Sequence, residues 1–118
     1  MLPPVFPVLN IPEIQAHVGS SPARIFDFQD VPQDCTKPYI AFTQVANSPF
    51  DGLKGAPCAD LDVIQIDVYA LDKSQCRAIA KLVRAALYAQ GICNQMTLQQ
   101  KEVDTNLYRI SIDADFIA

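Results

Sequence analysis

A strand running directly into a capped amphipathic helix occupies the middle of this chain and restricts its fold more than any other feature. Over residues 62–70, Ile64, Ile66 and Val68 fall on one face and Val63, Gln65, Asp67 and Tyr69 on the other, the period-two pattern of a strand with one face in a core. Asp72-Lys73-Ser74-Gln75 then supplies an N-cap with Gln at N3, close to a capping box. Cys76, Ile79, Ala80, Val83, Ala86 and Leu87 follow at the three- and four-residue spacing of one helix face, and Gly91 is a natural stop. The spacing predicts a helix over 73–90, with Arg77, Lys81 and Arg84 off the apolar stripe on the solvated side. Such a stripe must be buried against another layer, and the rest of the chain has the residues for a sheet.

At 118 residues the chain is expected to form a single α+β domain over 1–118, with a proline-rich N-terminal arm at 1–11. Pro3, Pro4, Pro7 and Pro12 favour an extended or polyproline arm, with a short helix over 12–18 that ends at Gly19. The arm's Val5, Phe6 and Leu9 either pack on the chain's own core or reach a neighbouring subunit. Alternation predicts strands over 24–28 and 39–45, separated by a turn-like segment at 31–37. A loop at 47–60 carries Phe50 and Leu53, which either fold back onto the core or meet another chain. Strands over 94–101 and 106–117, joined by a turn at 102–105, form an antiparallel hairpin. The expected fold is therefore a mostly antiparallel sheet of about five strands packed against one long helix, plus the short N-terminal helix.

Several function classes fall away. With 9 Lys plus Arg against 13 Asp plus Glu, the net charge of −4 argues against a phosphate-gripping surface. The first basic residue is Arg24, and no apolar run approaches the roughly 20 residues that span a bilayer, so a cytosolic setting without a membrane is expected. Cys35, Cys58, Cys76 and Cys93 contain no C-x-x-C pair and read as reduced thiols. His17 is the only histidine, and Cys35 has a close basic neighbour, Lys37. Both suit ordinary structural roles better than nucleophilic catalysis, and Cys76 lies on the helix's buried stripe. Asp60 with Asp62, and Asp113 with Asp115, put paired carboxylates on one strand face, which suits either a hard cation or, more simply, solvent. The four glycines form no phosphate loop. No enzyme activity, cofactor or metal is expected.

The series Arg24-Ile25-Phe26, Val31-Pro32-Gln33 and Lys37-Pro38-Tyr39-Ile40-Ala41-Phe42 resembles the tail-completion or tail-terminator proteins of long-tailed bacteriophages. Val63-Ile64-Gln65-Ile66-Asp67-Val68-Tyr69-Ala70, Ala78-Ile79-Ala80 and Val83-Arg84-Ala85-Ala86-Leu87 continue the similarity in the same order, over roughly residues 12–91. The resemblance implies a small α+β virion subunit, assembled in the host cytoplasm. It would form a hexameric ring at the head-proximal end of the tail, stop tube polymerisation and offer a docking surface for the head connector. Implied partners are further copies of the chain, the tail tube protein and the head–tail connector protein, with DNA passing through the ring and no catalysis.

Size is compatible with such a ring: a compact chain of this length is roughly 35 Å across, and six equal spheres in a closed ring leave a hole one sphere wide. Asp113 and Asp115 are the candidates to line that hole, where acidic strand faces would repel phosphate. Ring contacts join one patch to a different patch on the next subunit. Val5, Phe6, Leu9, Phe50 and Leu53 are the candidates for these contacts. Two other readings stand beside this one: a different connector or neck subunit, and a small cytosolic ligand-binding or dimerisation domain with an apolar cavity.

Overall fold

The alternation at 62–70 belongs to the central strand of a five-stranded sheet. The structure, a computed structural model, describes residues 5–19, 23–27, 31–32, 35–49 and 60–117. In chain order these form helices α1 (Val5–Leu9) and α2 (Pro12–Val18), strands β1 (Ile25–Asp27), β2 (Tyr39–Pro49) and β3 (Asp60–Ala70), helix α3 (Lys73–Ala89), and strands β4 (Cys93–Lys101) and β5 (Tyr108–Ile117). The sheet order is β1-β2-β3-β5-β4, with only β1 and β2 parallel. The fold is thus α+β, one mostly antiparallel sheet with one long helix.

The N-terminal arm differs from expectation because a proline is tolerated in the first turn of a helix, where its missing N–H has no partner to lose. Pro7 stands third in α1, and the turn closes with the Asn10 amide donating to the Phe6 carbonyl at 2.9 Å. Val5 and Leu9, four apart on one face, are then buried with 2% and 0% of their surface exposed, in the same core as α3. α2 begins with Pro12 at its first position and ends at Gly19, whose φ of 83° lies in the region that favours glycine.

α3 is delimited as its sequence suggests. The Asp72 carboxylate accepts a hydrogen bond from the Gln75 amide at 3.3 Å. At the other end, Gly91 (φ 72°) lets its own amide reach the Tyr88 carbonyl and that of Ile92 reach the Leu87 carbonyl, both at 2.9 Å. This is the paired closure that satisfies the last turn.

Beneath α3 the sheet presents Ile40, Phe42, Ile64, Ile66, Val68, Ile110 and Ile112, all buried with the helix's Ile79, Val83 and Leu87. β3 and β4 run parallel with β5 between them, so the connection through α3 passes over β5. That crossover places the helix on the apolar face of the central strands.

β2 and β3 pair from Tyr39↔Tyr69 to Pro49↔Asp60, with a bulge between Gln44 and Ala46. The expected loop at 47–60 is therefore strand at both ends, because the antiparallel ladder continues past the bulge. β5 begins at Tyr108 rather than 106, since Asn106 adopts φ 62° and turns the chain. Among the described residues, no helix is long and apolar enough to cross a membrane.

Ile79 is fully buried within this core. Ile79→Ala is expected to cost about 2–5 kcal/mol in urea unfolding. Leu71→Ala, at a side chain 65% exposed, is expected to change stability by less than about 0.5 kcal/mol.

Candidate functional site

α1 and α2 both pack against α3 on one side of the sheet. The other sheet face carries no helix among the described residues, and the period of two along β3 decides what stands on it. Register brings Tyr39, Tyr69 and Arg109 into one row across β2, β3 and β5. Ala41, Asp67 and Ser111 form the next row, and Thr43, Gln65 and Asp113 the third.

The middle row contains a carboxylate with no exposed surface. Asp67 accepts hydrogen bonds from the Ser111 hydroxyl, from Gln65 Nε2 at 3.2 Å to each oxygen, and from Arg109 Nε at 3.4 Å. A buried carboxylate needs such donors, since leaving it unpaired would cost several kcal/mol. Burial acts to lower the Arg109 pKa. Asp67 beside it, with Tyr69 and Glu102, outweighs that and holds the guanidinium above its ordinary value.

Aromatic rings cover this cluster. Tyr39 and Tyr69 stack with centroids 4.9 Å apart, Phe26 meets Tyr39 edge-on at 6.1 Å, and the Arg109 guanidinium lies 5.9 Å from the Tyr69 ring centre. Burial, then the Asp67 charge, pushes the Tyr69 hydroxyl up to about 12, so both tyrosines of the stack remain neutral hydrogen-bonding groups at physiological pH. The arrangement is a set of packed rings beside a charge-paired base.

The acidic residues singled out in the sequence occupy the far end of this same face. Asp113 is half-buried and Asp115 exposed. Burial first, then Asp115 and Asp67, raises the Asp113 pKa. A shallow cavity of about 220 Å³ lies there, lined by Val63, Cys93, Asn94, Gln95 and the two aspartates. Of the other paired carboxylates, Asp62 is buried and accepts from Gln44 Nε2 at 2.8 Å, which is not the open geometry of a cation site. Among the described residues, no group of three His, Cys, Asp or Glu side chains is gathered as metal ligands.

The contact candidates divide. Val5 and Leu9 are committed to the chain's own core, because the α1 helix turns both inward; Phe6, 40% exposed on its opposite side, stays available to a neighbour. Phe50 and Leu53 lie outside the described residues.

Burial pushes the Cys35 thiol up, with Arg24 and Lys37 pulling it down by less, and burial takes Cys76 to about 11. Cys93 is exposed at the start of β4. His17 contributes its backbone carbonyl to Arg24 Nη2 at 3.1 Å.

Two features escaped the sequence reading. The Asp67–Arg109–Ser111 cluster joins residues more than forty positions apart, and only Asp67, the one charge within residues 63–70, hinted at it. Arg84, expected to be solvated, instead donates to Asn94 Oδ1 at 2.8 Å and lies 5.6 Å from the Tyr88 ring centre.

Residues 8–117 match the family model described as tail completion protein gp17. Twelve chains of solved structures also match. One belongs to a structure titled "Virion of native gene transfer agent (GTA) particle", with a TM-score of 0.67 and 15% identity, covering 94% of this chain and 88% of that one. At this identity the likeness is one of fold. No curated protein matches the chain.

Asp67→Ala leaves Arg109, Ser111 and Gln65 without their shared acceptor and is expected to destabilise the protein by about 2–3 kcal/mol in urea unfolding. Asp113 has a folded-state pKa above its unfolded value, so holding it ionised disfavours folding at neutral pH. Asp113→Asn should therefore stabilise the protein at pH 7 by roughly 0.2–1 kcal/mol, the range for paired charges on a sheet face. That gain should shrink to nothing as pH falls through the folded and then the unfolded carboxyl pKa, which thermal melts at pH 3, 5 and 7 would follow.

Proposed function

Because this chain belongs to the tail completion protein gp17 family and is a structural protein of a phage tail, we propose that it acts as a ring, with six subunits, at the head-proximal end of the tail tube. In this role it ends tube polymerisation and offers its free surface to the head–tail connector. Its partners are further copies of itself, the tail tube protein and the connector protein. The chain works as one domain, and its role is mechanical, with no catalytic step.

The observation that carries the ring reading is the one-sided layering of the fold. The helices gather on one face of the sheet, and the opposite face has a firm base at Asp67 and Arg109 with an acidic end at Asp113 and Asp115. With that face turned inward, Asp113 and Asp115 would line a lumen that repels phosphate, so DNA could pass without being held. Dimensions support it: each subunit extends 48 × 29 × 23 Å, and a closed ring of six leaves a hole comparable in width to one subunit. Phe6 on α1, together with Phe50 and Leu53, supplies apolar groups for the contact between one subunit and a different patch on the next.

Negative-stain microscopy of the protein mixed with tail tubes of its own particle is the direct test. The expected image is a ring capping one end of each tube, and tubes that continue to elongate at the same rate with the protein present would overturn the proposal. Asp113→Lys with Asp115→Lys is expected to leave ring assembly intact while DNA is retained in the lumen, measured by DNA co-sedimentation with assembled rings at low salt.

A further inference from the structure

The basic residues of this acidic chain are concentrated along one line. α3 carries Lys73, Arg77, Lys81 and Arg84 and no acidic residue, within a chain of net charge −4. Lys101, at the end of β4, and Arg109, on β5, bring to six of nine the Lys and Arg residues that border a groove between α3 and β4. Two cavities that share Arg77 in their linings make up the groove. One is a cavity of about 190 Å³ reaching Lys101 and Tyr108, and the other is a cavity of about 380 Å³ with an apolar floor of Ala85, Tyr88 and Met96. Tyr88 and Met96 are 56% and 40% exposed, more than isolated packing residues need.

β4 itself is the edge of the sheet, hydrogen-bonded to β5 on one side. Its nine residues are exposed almost throughout. An edge of this length is a template for a further strand unless something covers or charges it. Here the helix does both. Arg84 Nη2 and the Tyr88 hydroxyl donate to the Asn94 carbonyl, each at 3.3 Å, and Arg77 Nε donates to Gln99 Oε1 at 3.3 Å. The first residues of the edge are thereby closed off, and Gln95–Lys101 are left beneath a row of cations.

We propose that this groove docks an extended acidic segment of a partner chain, which pairs with the free edge of β4 over residues 95–101. Its carboxylates lie against Arg77, Lys81 and Lys101, and an apolar side chain sits on Met96 and Tyr88. Charge decides the occupant. A second copy pairing β4 to β4 would bring two cationic rows together, which disfavours that contact, whereas an acidic strand satisfies the row and the edge at once. Nucleic acid would satisfy the cations but not the unpaired backbone. The inference rests on the charge and edge geometry of a single chain and holds whether or not the chain closes into a ring.

Fluorescence anisotropy with the full chain and a labelled octapeptide of alternating Glu and Val tests it, against the matching Lys–Val peptide, an N-methylated Glu–Val peptide and a 12-base-pair DNA duplex. The Glu–Val peptide is expected to bind and the Lys–Val peptide not to. Arg77→Glu with Lys81→Glu, both at exposed positions, should weaken binding at least tenfold with an unchanged circular dichroism spectrum. N-methylation should weaken it comparably, and hydrogen exchange at 95–101 should slow on binding. Equal binding of the Lys–Val peptide, unchanged binding by the double variant or by the N-methylated peptide, tighter binding of the duplex, or burial of the groove in a self-dimer seen by sedimentation would each overturn the proposal.

Discussion

The register of β3 is the constraint on which the rest of this structure depends. β3 is paired on both sides, with β2 and with β5, and its two faces have opposite requirements. Ile64, Ile66 and Val68 must meet α3, while Asp67 must meet Arg109 and Ser111. A slip of one residue would exchange the faces, putting a carboxylate under an apolar helix and three branched aliphatics into solvent. Hydrophobic burial and the buried ion pair therefore specify the same register independently. Agreement between them makes the arrangement single-valued, a property that an apolar face alone secures less firmly.

The consequence is a molecule with two unlike sides. On one, α1, α2 and α3 share the core through Val5, Leu9, Ile14 and Val18 and the stripe of α3. On the other, the sheet has no helical layer among the described residues, yet it is far from featureless: a stacked pair of tyrosines, a charge-paired base and an acidic end follow each other across three strands. Charge is divided between the sides as well, with anions at the end of the bare face and cations along the helix and the β4 edge. A chain with a net charge of −4 can in this way present surfaces of both signs to different neighbours.

Much of the fold was legible because its signals are local. The cap at Asp72, the stripe from Cys76 to Leu87 and the stop at Gly91 are neighbours in sequence, and α3 forms where they place it. The family resemblance read over 12–91 extends in the family match to 8–117, taking in the last two strands, whose pattern alone carried the sequence reading. Where the reading failed, a local rule met a non-local one. Prolines suggested an extended arm at 1–11, but Pro7 fell in the first turn of a helix whose Val5 and Leu9 found burial beside α3. The apolar character of those two residues suited a subunit contact and a core equally, and only the packing distinguishes the two.

The amino-acid sequence by itself determined the period of the strands and of α3, the apolar stripe of that one long helix, and the membership of a tail completion family. These rest on residues a few positions apart, whose spacing is all that a helix turn or a pleat requires. Tertiary structure alone decided the order of the strands, the burial of Asp67 beside Arg109 and Ser111, and the gathering of cations from α3 and β4 along one groove. Those depend on strand pairing across tens of residues, and the period of two fixes which face a side chain takes without saying which strand lies beside it.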